Sequence, residues 1–244
     1  WHDIVLGKES SIATAEMNAE DPAILLYTSG TTGEPKGCVW THIGFIGSMV
    51  TRDMIICADF KSSDRFFFLS DMGWMVGAMC ACIPSFAGGS HLYTGGTPDF
   101  PATGRLWRLI QDHCVSYLGI SPTIIRGLMR YGTQDVDRYD LSSLRMTVSG
   151  GEAWTAAPWQ WFFEHVCKSK LPIINVSGGT EVGGCIFTGT PNHPMNPCSF
   201  SRPALGVGAD IVDTAGNSLA PGEVGELVLR HSSIGLTKSL WKAD

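Results

Sequence analysis

Thr28-Ser29-Gly30-Thr31-Thr32-Gly33-Glu34-Pro35-Lys36-Gly37 follows directly on the apolar run Ala23-Ile24-Leu25-Leu26-Tyr27. The run reads as a strand, and the residues behind it as a loop that no hydrophobic core requires. Its glycines let backbone approach a ligand closely, its hydroxyls and N–H groups suit phosphate oxygens, and Lys36 adds a mobile positive charge. That chemistry describes a polyphosphate cradle built from Thr28, Ser29, Gly30, Thr31, Thr32, Gly33 and Lys36. The Walker pattern, in which Gly-Lys-Ser/Thr opens a helix, is not met, because Pro35 precedes Lys36 and Gly37 follows it. A Gly/Ser/Thr-rich surface turn is the competing reading.

Outward from the loop, short apolar runs alternate with amphipathic stretches. Phe66–Leu69, His91–Tyr93, Val115–Leu118, Leu144–Val148 and Ile173–Val176 read as strands. Ile43 to Cys57 has helical spacing, Arg105 to His113 puts Leu106, Leu109 and Ile110 on one stripe, and Thr123 to Tyr131 and Ala156 to Val166 repeat the pattern. This alternation predicts an α/β fold with a mostly parallel sheet flanked by helices. Beyond Pro203 the rhythm changes to Ala209–Val212 and Glu226–Leu229 around a turn-rich stretch, a small β unit resembling part of a barrel. The expected divisions are an entering arm or linker over 1–20, a phosphate-loop segment over 21–60, an α/β unit over 61–202 and a partial β unit over 203–244.

Composition narrows the partners. The 244 residues carry a formal net charge of −6, with 44% hydrophobic and 16% charged residues, and no basic cluster suited to nucleic acid or an anionic membrane surface. No apolar run is long enough to span a bilayer. The eight cysteines lie scattered, without a Cys-x-x-Cys pair or zinc-finger spacing, as free thiols do in a reducing compartment such as the cytoplasm or a mitochondrial matrix. A start at Trp1, without Met or a leader pattern, is read as a piece of a longer protein.

Three more loops leave predicted strands on the carboxyl side, where open α/β sheets bind ligands. Ser149-Gly150-Gly151-Glu152-Ala153 offers glycine backbone on which a flat base can lie. Asn175-Val176-Ser177-Gly178-Gly179-Thr180-Glu181-Val182-Gly183-Gly184 adds a carboxylate able to hold Mg²⁺ beside a hydroxyl able to bond phosphate. Ser70-Asp71-Met72-Gly73-Trp74-Met75-Val76-Gly77 carries the apolar side chains of a pocket or of ordinary core. The seven histidines form no dyad with a nucleophile, and Ser149-Gly150-Gly151 is not a hydrolase elbow.

Taken in order, these motifs resemble the adenylate-forming superfamily, which includes acyl-CoA synthetases, peptide-synthetase adenylation domains and luciferases. The Thr28–Gly37 loop resembles its phosphate signature, Thr180-Glu181 its Thr-Glu motif, and Asp71-Met72-Gly73-Trp74 the Asp-x-Gly-Trp segment of acetyl-CoA synthetases and their medium-chain relatives. The resemblance covers residues 21–230 and implies an AMP-forming ligase. Such an enzyme activates a carboxylic acid with ATP and Mg²⁺ to an acyl-adenylate, then transfers the acyl group to CoA. It further implies Lys36, Thr180 and Glu181 as catalytic residues and Glu181 as metal ligand. Gly151, Glu152, Ala153, Asn175, Val176, Ser177, Gly178, Gly179 and Thr180 are implied for adenosine, and Trp74, Met75, Val76, Gly150 and Gly178 for the acyl pocket.

The departures are specific. Tyr-Gly, usual before Thr-Glu, is replaced by Ser177-Gly178-Gly179. The resemblance implies an N-terminal part and a C-terminal lid domain that these residues do not include, so the piece alone is expected to be inactive. In acetyl-specific members of the family a Trp and a Val stand where this chain has Gly178 and Gly150, which implies an acid longer than acetate. A peptide-synthetase-type adenylation domain and a nucleotide-binding fragment without its own activity remain as alternatives.

Overall fold

The computed structural model describes residues 13–28, 35–71 and 73–241. Strands β1 (Pro22–Thr28) and β2 (Lys36–Thr41) pair antiparallel, with Thr28 opposite Lys36. Thus the phosphate-loop candidate connects two paired strands. The chain then enters helix α1, which starts at His42–Gly44 and continues over Phe45–Cys57 with wider, π-helical turns. Its end shows this widening, since the Ala58 N–H reaches back five residues to the Asp53 carbonyl at 2.9 Å.

Next come β3 (Arg65–Phe68), α2 (Met75–Ala87), β4 (Ser90–Leu92), α3 (Arg105–Asp112), β5 (Tyr117–Ile120), α4 (Pro122–Met129) and α5 (Gln134–Arg138). They are followed by β6 (Met146–Gly150), α6 (Ala156–Trp161, continued by a π-turn over Phe162–Val166), β7 (Ile173–Gly179) and β8 (Gly184–Thr188). Last are β9 (Arg202–Pro203), β10 (Ala209–Val212), β11 (Glu226–Leu229) and β12 (Ser239–Leu240).

The central sheet has the order β4-β3-β5-β6-β7-β8-β9. Its pairings are parallel from β4 to β7 and antiparallel from β7 to β9. The expected α/β fold with a mostly parallel sheet between helices is therefore present. Side chains alternate across each strand, so Phe66, Tyr117, Met146 and Val148 pack under α1 and α2, while Phe67, Leu118 and Ile120 pack with α3, α4 and α6. Strands β10 and β11 form an antiparallel pair, as their apolar runs suggest.

Several boundaries differ from the sequence reading. The strand expected at Val115–Leu118 lies at Tyr117–Ile120; just before it the Ser116 N–H donates to the Arg65 carbonyl at 3.1 Å and its hydroxyl to Asp64 at 2.7 Å. The strand read at Leu144–Val148 runs over Met146–Gly150. Ser149-Gly150 and Ser177–Gly179, read as loop, are the ends of β6 and β7. There the glycines lie in extended pairing, with Gly150 opposite Val176 and Gly179 opposite Gly184. Strand β12 adds to β2 from the far end of the chain.

Candidate functional site

The carboxyl ends of β6 and β7 and the β7–β8 hairpin form one wall of a cleft of about 260 Å³. It is lined by Gly151, Glu152, Ala153, Val176, Ser177, Gly178 and Phe200. Six of these are residues that the sequence reading assigned to adenosine, and Phe200 is an addition. Phe200 stacks on Phe187 at 5.8 Å between centroids, giving the cleft a fixed aromatic side. Gly151 has φ +85°, and a Cβ there would meet nothing within 4 Å, so its backbone faces open space as a base-binding slot needs. Asn175, Gly179 and Thr180 flank this lining. Asn175 is buried; its side-chain N–H₂ donates to the Ser199 carbonyl at 3.1 Å, while Oδ1 has no partner among the described residues.

A second cavity, of about 110 Å³, shares Gly151, Val176 and Gly178 with the cleft. Met75, Val76, Gly150 and Gly178 line it, together with Met49, Met54, Met79, Ile83, Phe66 and Phe68. Trp74 does not, being 73% exposed just before α2. The space is not a vacated indole site. A Cβ on Gly178 would stand 2.1 Å from the Gly184 carbonyl oxygen, and one on Gly150 would stand 2.6 Å from Val176 Cγ2. These glycines let β8 and Val176 approach, and the cavity opens beside them among flexible methionines.

Asp53 and Cys185 give the cavity its polar edge. Asp53 accepts from Arg52 and from the Cys185 N–H, while Arg52 donates to the Cys185 carbonyl. Burial, with the neighbouring Asp53 carboxylate, pushes the Cys185 thiol up, so it stays protonated.

Ser29, Gly30, Thr31, Thr32 and Gly33 lie outside the described residues. Thr28 and Lys36 bracket them as opposed residues, and the Thr28 hydroxyl oxygen is buried without a partner among the described residues. Glu181 stands exposed on the turn after β7. Burial and the Glu181 carboxylate push the Cys38 thiol up, while the Thr237 hydroxyl and the Lys36 ammonium act oppositely. Sequence reasoning missed what fixes that turn: Trp40 Nε1 donates to the Thr180 carbonyl at 2.8 Å and the Thr237 N–H to the Glu181 carbonyl at 2.9 Å. No motif marks either residue. No helix among the described residues is long and apolar enough to cross a membrane.

Comparison with known proteins gives this geometry a family. Acetyl-coenzyme A synthetase of Chromobacterium violaceum is 34% identical over 99% of the chain, and that of Pseudoalteromonas translucida 37% identical over 95%. The chain spans 37% and 36% of their respective lengths. An anthranilate CoA ligase solved with anthranoyl-AMP superposes with a TM-score of 0.84 and 26% identity, covering 99% of this chain and 45% of that one. Acetoacetyl-CoA synthetase from Streptomyces lividans superposes with a TM-score of 0.88 at 24% identity, covering 98% and 37%, and shares the fold. Residues 4–241 match the family described as AMP-binding enzyme, and the chain belongs to that family.

Proposed function

We propose that the chain forms the nucleotide- and acid-binding part of an AMP-forming acyl-CoA synthetase whose acid is longer than acetate. The observation that carries this reading is that the two spaces adjoin: Gly151, Val176 and Gly178 line both the cleft and the apolar cavity. An adenosine in the cleft and an acyl tail in the cavity would bring the carboxylate and α-phosphate together at that shared edge. Positioning of this kind supplies much of the rate enhancement in such transfers. That a structural neighbour is a CoA ligase solved with anthranoyl-AMP supports the reading of an acyl-adenylate as the bound species.

Within this reading Thr28, Ser29, Gly30, Thr31, Thr32, Gly33 and Lys36 hold the ATP phosphates, and Gly151 to Ala153 with Asn175 to Thr180 hold adenosine. The Thr28 hydroxyl and Asn175 Oδ1, which have no partner among the described residues, fit a polar ligand with donors and acceptors of its own. Glu181 is the metal ligand, a hard oxygen donor suited to Mg²⁺. When bound, Mg²⁺ neutralises phosphate charge. CoA is the second substrate, and turnover is placed in the complete protein, with the chain alone expected to be inactive. The described cysteines are free thiols, which supports a reducing compartment, cytoplasm or mitochondrial matrix.

Acid-dependent ATP–pyrophosphate exchange by the complete protein tests the proposal. Exchange that requires a carboxylic acid and rises from acetate to butanoate is expected. ATP binding without acid-dependent exchange would overturn it in favour of a nucleotide-binding role.

A further inference from the structure

Trp40 is 2% exposed and lies on β2, the strand that leaves the phosphate loop. Its ring stacks on Phe45, with centroids 6.1 Å apart, and its indole N–H donates to the Thr180 carbonyl 140 positions away. On the other side of the same turn the Thr237 N–H donates to the Glu181 carbonyl at 2.9 Å. Thr237 is itself tied to β2, its hydroxyl donating to the Val39 carbonyl at 3.1 Å and the next residue's N–H to the same oxygen at 3.0 Å. Besides the hairpin pairing of Gly179 with Gly184, the turn holds two backbone bonds of its own, from the N–H groups of Val182 and Gly183 to the Gly179 carbonyl. Both flanking anchors therefore come from β2 or from a segment laced to it.

The geometry points to Trp40 as a positioning residue that holds the Thr180–Glu181 turn in register with the strand leaving the phosphate loop. The inference rests on the reading of Glu181 as metal ligand. A metal shared between a carboxylate and phosphate oxygens requires both donor sets within about 0.5 Å of their working positions. Glu181 is exposed at the tip of a turn whose own backbone bonds lie at its base, from Val182 and Gly183 to Gly179 and in the Gly179–Gly184 pairing, so the contacts from outside that hold the Thr180 and Glu181 carbonyls add to its precision. A buried indole is suited to that task, because its ring is locked by packing and its single N–H has one direction.

The test uses the complete protein and the variants Trp40→Phe and Glu181→Gln. Trp40→Phe keeps an aromatic ring in the core and deletes the donor. Three quantities are read: amide hydrogen exchange over residues 179–185 without ligand, the Kd of ATP without divalent metal, and the Kd of ATP with Mn²⁺. For Trp40→Phe, exchange in the turn should rise at least five-fold while that of β5 is unchanged. Metal-free ATP affinity should stay within two-fold, and the enhancement by Mn²⁺ should fall about ten-fold. Glu181→Gln should remove the enhancement and leave the turn's exchange unmoved. If Glu181→Gln removes the enhancement and Trp40→Phe does not, the positioning role is wrong and the metal reading stands. If Glu181→Gln leaves the enhancement intact, both fall. A parallel loss of metal-free and Mn²⁺-dependent affinity in Trp40→Phe marks a general packing defect and also overturns the inference. Should Trp40→Phe not fold, Thr237→Val decides: it severs the hydroxyl tether to Val39, and the same pattern at two-fold or more is required.

Discussion

Asp53 takes two hydrogen bonds from its own neighbour in sequence, Arg52, whose Nε donates to Oδ1 at 2.6 Å and whose terminal nitrogen donates to Oδ2 at 3.0 Å. Both residues are buried, and together they hold the peptide N–H and carbonyl of Cys185 on β8. The pair fastens α1 to the hairpin that carries Thr180 and Glu181. Removing one member of a buried pair strands the other charge, which costs about 3–5 kcal/mol. Asp53→Ala is therefore expected to lower unfolding stability by that amount in urea titration. A loss below about 1 kcal/mol would mean that the pair does not hold the hairpin.

Asp64 sets an acid limit on the same sheet. It is 2% exposed, and burial raises its proton affinity. Hydrogen bonds from Arg145, the Lys61 N–H and the Ser116 hydroxyl more than offset that, leaving the carboxyl below its ordinary value. A carboxyl whose folded pKa is depressed gives stability that is present above the unfolded value, about 3.9, and lost as pH falls through the folded one. Asp64→Asn should thus cost about 1.5–3 kcal/mol at pH 7, the range for bonds to a charged group, and progressively less below pH 4. Urea midpoints measured from pH 7 to pH 2 check this. A penalty that does not shrink in acid would assign the effect to packing.

Lys36 opens β2 directly opposite Thr28, so its position is set by strand pairing and not by the loop alone. Lys36→Ala should weaken ATP binding by about 1.5–3 kcal/mol, the loss of one charged hydrogen bond, with the melting temperature nearly unchanged. Unaltered ATP affinity in equilibrium binding would remove Lys36 from the phosphate site.

The parallel sheet was legible because its strands are short apolar runs rich in β-branched and aromatic residues between longer amphipathic stretches, and length together with period separates the two. Gly150 and Gly178, singled out in the sequence, do line the apolar cavity, but the packing role of each was not legible. The cavity they border depends on β8 lying against Gly178, and β8 is itself a glycine-led segment without an alternating pattern. The anchors were hidden for another reason. Trp40 and Thr180 are 140 positions apart, Asp53 and Cys185 132, and no local period records a partner at that distance. Arg52-Asp53 inside a helical run reads as a solvated pair until the hairpin covers it. Trp74, which the Gly-Trp context drew into the pocket, shows the converse: an aromatic next to a motif at the surface.

As the proposed acyl site, the cavity would also set an upper bound on the acid. An apolar cavity of about 150 Å³ accommodates benzene, and the space beside Gly178 is about 110 Å³; it suits a saturated tail of about four carbons better than an aromatic ring. Each buried CH₂ is worth about 0.8 kcal/mol, so butanoate should exceed acetate in kcat/KM by about 1.6 kcal/mol, roughly fifteen-fold. Met49, Met54, Met75 and Met79 can shift to admit one or two carbons more, which places the optimum at four to six carbons and makes octanoate poorer. Gly178→Trp is unsuited to test this, because its Cβ would meet the Gly184 carbonyl at 2.1 Å and force the hairpin apart. Val76→Phe is the sharper variant: Val76 lines the cavity from the first turn of α2, and the larger side chain should fill it at a stability cost of about 1–3 kcal/mol. Steady-state kinetics of the complete protein from acetate to octanoate should then show the butanoate-to-acetate ratio falling at least ten-fold. A profile that Val76→Phe leaves unmoved would exclude this cavity as the acyl site.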